Sequence, residues 1–115
     1  MQTFTTDDDH LVVRLDTGDM MLESITAACE EHGVTDGTVV SGIGTLRNLH
    51  VHYLHADIET GEKEDRNTFL ELDGCWEISG IDGLVADGEP HLHLTAYDGE
   101  RTVVGHLEEG NEVNA

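Results

Sequence analysis

Positive charge is nearly absent from this sequence of 115 residues. It contains one lysine, Lys63, and four arginines against 25 aspartates and glutamates, so its formal net charge at neutral pH is −20. Affinity for duplex DNA comes largely from Lys and Arg side chains on phosphates, and direct DNA binding is therefore disfavoured. A partner rich in positive charge would suit this composition. The spread of acidic residues over every loop favours a second explanation, a halophilic protein that stays soluble in concentrated salt.

Cysteines and long apolar runs are also scarce. Cys29 and Cys75 are the only two cysteines and form no CxxC motif, which predicts buried, reduced thiols and a reducing compartment. The acidic, polar start of the chain is not that of a secretory signal peptide, and no apolar run has membrane-spanning length. We therefore expect a soluble, cytoplasmic protein that forms a single domain over residues 1–115.

Hydrophobic periodicity predicts one helix within residues 20–33. Met21, Leu22, Ile25, Ala28 and Cys29 share one face at helical spacing. A glycine at position 33 is placed to end this helix in a left-handed conformation.

The rest of the chain is rich in short strand patterns. A first strand is predicted at 11–15 and a β-rich stretch at 37–54, followed by an acidic segment at 56–68 with a turn near its glycine. Residues 69–89 suggest two short strands broken at Gly74 and Gly80, and a final hairpin turns around Asp98 and Gly99. These elements predict an α+β domain in which one helix covers one face of an antiparallel, curved sheet or open barrel.

The final hairpin carries three histidines. His91 and His93 alternate with leucines, so both imidazoles point to one face of their strand. A two-residue turn would set His91 opposite His106, whereas a four-residue loop over 98–101 would set His93 opposite His106. Either register gathers the three rings on one face. A three-residue loop would place His106 on the other face unless a bulge near Gly105 restored it.

Three neutral imidazoles are a ligand set for a divalent metal. They suit Zn²⁺, with Ni²⁺, Co²⁺ or Fe²⁺ as alternatives, and they leave one coordination position for water, a carboxylate or a small ligand. The competing interpretation is a polar strand face that carries histidines without a metal. A second group, His50, His52 and His55, lacks a hairpin partner with a further nitrogen, and we expect these three residues on the surface.

Five fragments, in order, resemble the plants-and-prokaryotes-conserved (PPC) domain across about residues 11–113. They are RLDTGDMMLESI, VVSGIGTLRNL, CWEISGIDGLV, HLHLTAYDGE and VGHLEEGNEV. A cupin also opens its metal motif with HxH, but it needs a glutamate three or four residues after the second histidine, where this sequence has Ala96 and Tyr97.

The resemblance implies a homotrimer of a β-rich domain with a packed helix, of the stand-alone type found in archaea and bacteria. Such members are often called DNA-binding by similarity, and several bind a metal at the positions that match His91, His93 and His106. Two departures from the family pattern are visible. Val104 stands where a first glycine usually precedes the third histidine. The family also continues with one more strand after the segment that matches NEVNA, so we expect either that this sequence is incomplete after Ala115 or that the last strand is missing.

Two functions are compatible with these patterns. The first is a non-enzymatic homotrimer that serves regulation or interaction with a protein partner. The second is a metal-dependent enzyme, a hydrolase or lyase, with Glu77 as its candidate general base. The competing interpretation of Glu77 is a charge at a strand end or at the trimer interface, paired with Arg14. We expect Trp76 and Tyr97 to pack in a core or at a subunit interface.

Overall fold

The computed structural model describes residues 1–6, 9–59 and 61–115, so Asp7, Asp8 and Thr60, which belong to the acidic segments noted above, lie outside the described residues. Within these ranges the chain forms seven strands and two helices. The strands are β1 (Gln2–Thr5), β2 (Leu11–Arg14), β3 (Gly37–Thr38), β4 (Gly44–Leu54), β5 (Asn67–Ala86), β6 (Glu89–Tyr97) and β7 (Thr102–Leu107). The helices are α1 (Met21–Glu31) and the single-turn α2 (Lys63–Arg66).

The strands form an antiparallel hairpin, β1–β2, and a five-stranded antiparallel sheet in the order β3-β5-β4-β7-β6. The first half of β5 pairs with β4, and its second half pairs with β6. Because β6 also pairs with β7, and β7 with β4, the pairings of these four strands close into a ring. The predicted α+β architecture, with one main helix and a curved antiparallel sheet, is confirmed.

Strand β5 corrects one prediction. Residues 69–89 do not form two strands broken at Gly74 and Gly80, because one strand runs from Asn67 to Ala86. The glycines instead lie at two irregularities of register, where β5 carries an extra residue relative to β4 and to β6. Bulges of this kind bend a strand without ending it. Here they let β5 pair with β4 along its first half and with β6 along its second half.

The N-terminal segment also differs from expectation. Residues 2–5, which the sequence did not predict to be a strand, pair with β2 from Gln2 opposite Arg14 to Thr5 opposite Leu11. The pattern Thr-Phe-Thr between polar residues gave little period-two signal, so this strand depends on its partner rather than on its own sequence.

Helix α1 has the predicted orientation. Met21, Ala28 and Cys29 are buried, and Leu22 and Ile25 pack against the core. Gly33 has a φ of 64° just beyond the helix end, as its position predicted. The core itself lies between the helix and the inner faces of the strands, and its largest fully buried side chains include Trp76, Leu46 and Leu49.

The cysteines do not both behave as predicted. Cys29 is buried, and burial raises the pKa of its thiol. Cys75 is exposed, next to the buried Trp76, because alternate residues of a strand point to opposite faces. No helix among the described residues is long and apolar enough to cross a membrane.

Candidate metal centre

Three adjacent strands place histidines side by side. His93 of β6 is paired with His106 of β7, and His106 is paired in turn with His52 of β4. Directly paired residues of neighbouring strands point to the same face of a sheet, and His91 shares that face with His93. The intervening leucines, including Leu92 and Leu107, are buried, so the four histidines stand on the outer face.

The register of the last hairpin is that of a four-residue loop. Tyr97 is paired with Thr102, and the N–H of Asp98 donates to the carbonyl of Arg101 at 3.2 Å. The side chain of Asp98 accepts from the N–H groups of Glu100 and Arg101, which fixes the loop. Of the registers left open by the sequence, the one that pairs His93 with His106 is confirmed.

The rings of His91, His93 and His106 are close neighbours on this face. Their centroids are 5.3 Å apart for His91–His93, 4.8 Å for His91–His106 and 5.4 Å for His93–His106. In a tetrahedral zinc site each nitrogen is roughly 2 Å from the metal, which puts neighbouring ring centroids about 5 Å apart. The three predicted ligands are therefore neighbours on one face of the sheet, with ring centroids near this distance.

A fourth histidine joins this cluster. We expected His52 to be a surface residue with no hairpin partner to supply a further nitrogen. It does lie on the outer face, but the pairing of β4 with β7 places the nitrogens of His106 beside it. Its ring is half-buried, with its centroid 4.4 Å from that of His106. His50 and His55, which lie close to His52 in sequence, are outside the cluster. His50 contacts the carbonyl of Glu109 through Nδ1, and His55 contacts the carbonyl of Asp65 through Nε2.

Glu108 lies against two of these rings. Its Oε1 atom contacts Nδ1 of His52 and lies 3.1 Å from Nδ1 of His106. Ligand atoms of His52, His106 and Glu108 all fall within 4.8 Å of one another, and among the described residues this is the one group of histidine, cysteine and carboxylate donors that meets this distance. Sequence reasoning missed Glu108, although it stands two residues after the third histidine.

The electrostatics favour the neutral imidazole at His93 and His106. Burial lowers the pKa of His93 below its ordinary value of 6.5, and the charges of His91 and His52 lower it further. Burial and the charge of His52 likewise lower the pKa of His106, although Glu108 acts in the opposite direction. A neutral imidazole has a free lone pair, which is the form that binds a metal.

The chain does not bring Glu77 to the histidines. Glu77 is exposed on β5 and is paired with Tyr97, four residues along β6 from His93. At the rise of a strand this separation is about 13 Å. The neighbouring Trp76 is fully buried, and its Nε1 donates to the carbonyl of Asp73 at 3.1 Å, so its predicted packing role in a core is confirmed.

A cavity of about 410 Å³ opens beside the rings of His91 and His106. Leu84, Ala86, Glu89 and Pro90 form the rest of its wall. It gives a small molecule access to the edge of the histidine cluster.

The chain belongs to the Plants and Prokaryotes Conserved (PCC) domain family, the same family as the PPC domain, because the family profile matches residues 2–115. The resemblance inferred from the five sequence fragments is thereby confirmed. None of the curated proteins is recognisably similar in sequence to this chain.

Solved structures of similar fold include two archaeal proteins. One is a metal-containing protein from Archaeoglobus fulgidus, 26% identical, with a TM-score of 0.72 over 89% of this chain and 70% of that one. The other is a PPC protein from Pyrococcus horikoshii, 30% identical, with a TM-score of 0.69 over 86% of this chain and 67% of that one.

A bacterial structure is similar in fold alone. It is a protein of Bacteroides thetaiotaomicron that is described as a candidate DNA-binding protein. The two sequences are 19% identical, and the structures superpose with a TM-score of 0.80 over 99% of this chain and 77% of that one.

Proposed function

We propose that this chain is a metal-binding interaction module that assembles with copies of itself. The cation is a borderline divalent ion, with Zn²⁺ as the best fit to an all-imidazole set, and His91, His93 and His106 are its ligands. The observation that carries the proposal is the proximity of these three rings on one face of the sheet, at centroid distances of 4.8 to 5.4 Å. The metal-containing relative from Archaeoglobus fulgidus supports it.

Exposed apolar side chains next to the histidines support self-association. Leu84 is paired with His91 and is 48% exposed, and Val104, two residues before His106, is 58% exposed. Tyr97, on the same face as His93, is 48% exposed. Apolar groups around a polar centre are typical of surfaces that a partner covers, and a homotrimer is the assembly that we propose.

The composition argues that the module works through proteins rather than through DNA. With a net charge of −20 and only five cationic side chains, the chain has little with which to displace counterions from phosphates. A regulatory role through a partner protein is consistent with the exposed apolar face. The cytoplasm is the compartment that we propose for it, since reduced cysteines suit a reducing compartment.

Calorimetric titration with Zn²⁺, combined with light scattering of the same sample, tests both parts of the proposal. We expect one zinc per chain and a particle mass of three chains. A protein that takes up no zinc would refute the metal site, and a monomer at all concentrations would refute the assembly. The two results are independent, so each part can fail alone.

A metal-dependent hydrolase or lyase is the second candidate, favoured by the cavity of about 410 Å³ beside His91 and His106. A bound metal with an open coordination position would supply a Lewis acid or an activated water there. Turnover of a small substrate that stops on chelation and returns with added zinc would support this candidate. Turnover that survives chelation would exclude the metal from the reaction.

A further inference from the structure

We propose that Glu108 is a positioning residue of the histidine site. Its carboxylate accepts the Nδ1 hydrogens of His106 and His52, and this leaves the Nε2 atom of each ring with the free lone pair. The inference rests on the proposed metal-binding function and deepens it, because it adds two residues, His52 and Glu108, to a site otherwise formed by three histidines.

The contacts of Glu108 determine the tautomer of both rings. One carboxylate oxygen, Oε1, lies against Nδ1 of His52 and at 3.1 Å from Nδ1 of His106. An ionised carboxylate only accepts hydrogen bonds, so a nitrogen that bonds to it must carry the hydrogen. A neutral imidazole carries one ring hydrogen, and its other nitrogen is then the metal ligand.

The backbone holds Glu108 in place for this role. Its N–H donates to the carbonyl of His50 at 3.1 Å, and its carbonyl accepts from Nδ2 of Asn111 at 2.9 Å. Asn111 is fully buried, and its Oδ1 accepts from the N–H of His50 at 2.7 Å. The turn that follows β7 is therefore bonded to β4, so the carboxylate projects from a fixed support toward both rings.

The expected consequence is a site that is ordered before the metal arrives. Metal-binding histidines usually donate the hydrogen on their other ring nitrogen to a carboxylate or a carbonyl, and loss of that acceptor lowers metal affinity roughly 10- to 100-fold. The opposing arrangement has Glu108 itself as a ligand, together with Nδ1 of His52 and Nδ1 of His106. In that case each Nδ1 would bind the metal and could not carry a hydrogen.

Nitrogen-15 NMR of the metal-free protein at neutral pH separates these arrangements. We expect His52 and His106 to carry the hydrogen on Nδ1 in the wild type, and to shift toward the Nε2–H form, which free histidine prefers, in Glu108→Ala. Glu30→Ala is the matched control, since it removes an exposed carboxylate from helix α1, outside the histidine cluster, and it should leave the tautomers unchanged. A wild-type protein with the Nε2–H form at His106 would overturn the proposal even if the Glu108 variant fails to fold.

A Co²⁺ titration supplies the second readout. Glu108→Gln should weaken binding about 10- to 100-fold while the visible spectrum keeps its wild-type character, and Glu30→Gln, on α1, should change the affinity less than about twofold. The proposal fails if His52→Asn abolishes binding while His91→Asn and His93→Asn retain it, because Glu108 is then a ligand. Absence of any metal binding in the wild type would refute the proposed function, and the tautomers of the metal-free protein would still decide the role of Glu108.

Discussion

His93 and His106 are direct partners across two strands, and their rings meet nearly at right angles, with an interplanar angle of 83° and centroids 5.4 Å apart. The register of β6 and β7 sets this relationship, so the separation of the two rings depends on the sheet and not on a loop. His106 also contacts the rings of His91 and His52, which makes it the centre of the cluster.

Replacement of His106 should therefore damage the site most. We expect His106→Asn to lower zinc affinity at least about 100-fold, because two imidazoles alone hold the ion weakly and the contact to Glu108 is lost as well. His32→Asn is the control. It also removes one imidazole, but from the exposed end of α1, where His32 contacts Thr3. Calorimetric titration of both variants, with circular dichroism to confirm folding, gives the comparison. Equal zinc affinity in His106→Asn and wild type would place the cation elsewhere.

The part of the site that could be predicted from sequence is the part made by local pairing. His91 and His93 share a face because a strand alternates, and an Asp-Gly turn signal returns the chain so that His106 faces them. His52 was misassigned because its partner is 54 residues away, in a strand pairing between β4 and β7 that no short-range signal indicates. The contact of Glu108 with His52 depends on the same pairing, which brings the end of β7 next to β4.

The fold shows the same division between local and long-range information. The face and end of helix α1 follow from spacing and from Gly33, and both were predicted. The continuity of β5 was not predicted, because Gly74 and Gly80 indicate an interruption of the strand. Sequence alone does not distinguish a bulge from a strand end. Cys75 was predicted to be buried and is exposed for the same reason, since a bulge in the strand determines which of its residues face the core.

Gly105 provides a test of how closely β7 approaches β4. A Cβ atom at this position would lie 2.9 Å from the carbonyl oxygen of His52 and 3.0 Å from the side chain of Val51. We expect Gly105→Ala to lower the free energy of unfolding by about 1–3 kcal/mol and to weaken zinc binding, because it pushes apart the strands that carry His106 and His52. Denaturant unfolding and zinc titration measure the two effects.

Gly80→Ala is the matched control for this substitution. A Cβ atom on Gly80 would meet no other atom within 4 Å, so we expect almost no change in stability or in zinc affinity. If both variants behave alike, the loss in Gly105→Ala reflects glycine replacement in a strand and not the spacing of β7 and β4.

Asp98 should make the last hairpin sensitive to acid. Hydrogen bonds from the N–H groups of Arg101 and Glu100 lower the pKa of the Asp98 carboxyl below its ordinary value of 3.8, and the Arg101 side chain adds to this effect. A carboxyl whose pKa is lower in the folded than in the unfolded state stabilises the fold above the unfolded value, and this stabilisation is lost as pH falls through the folded value.

The stability difference between wild type and Asp98→Asn should accordingly be largest near neutral pH and shrink below about pH 4. Thermal unfolding over a pH series measures this difference. Glu100→Gln, in the same loop, removes the same charge while leaving Asp98 in place, and its difference from the wild type should lack this profile. A difference for Asp98→Asn that stays constant from neutral to acidic pH would contradict the expectation.

Duplex DNA should not bind this chain at moderate salt. The four arginines lie on separate elements and loops, and a net charge of −20 repels the phosphate backbone over about 10 Å at 0.1 M salt. High salt screens this repulsion, but it also removes the counterion release on which attraction to phosphates depends. We therefore expect no binding in fluorescence titrations at any point of a salt series, with or without zinc. Tight binding that weakens steeply as salt is added would contradict this expectation, since it requires several cationic contacts with phosphates.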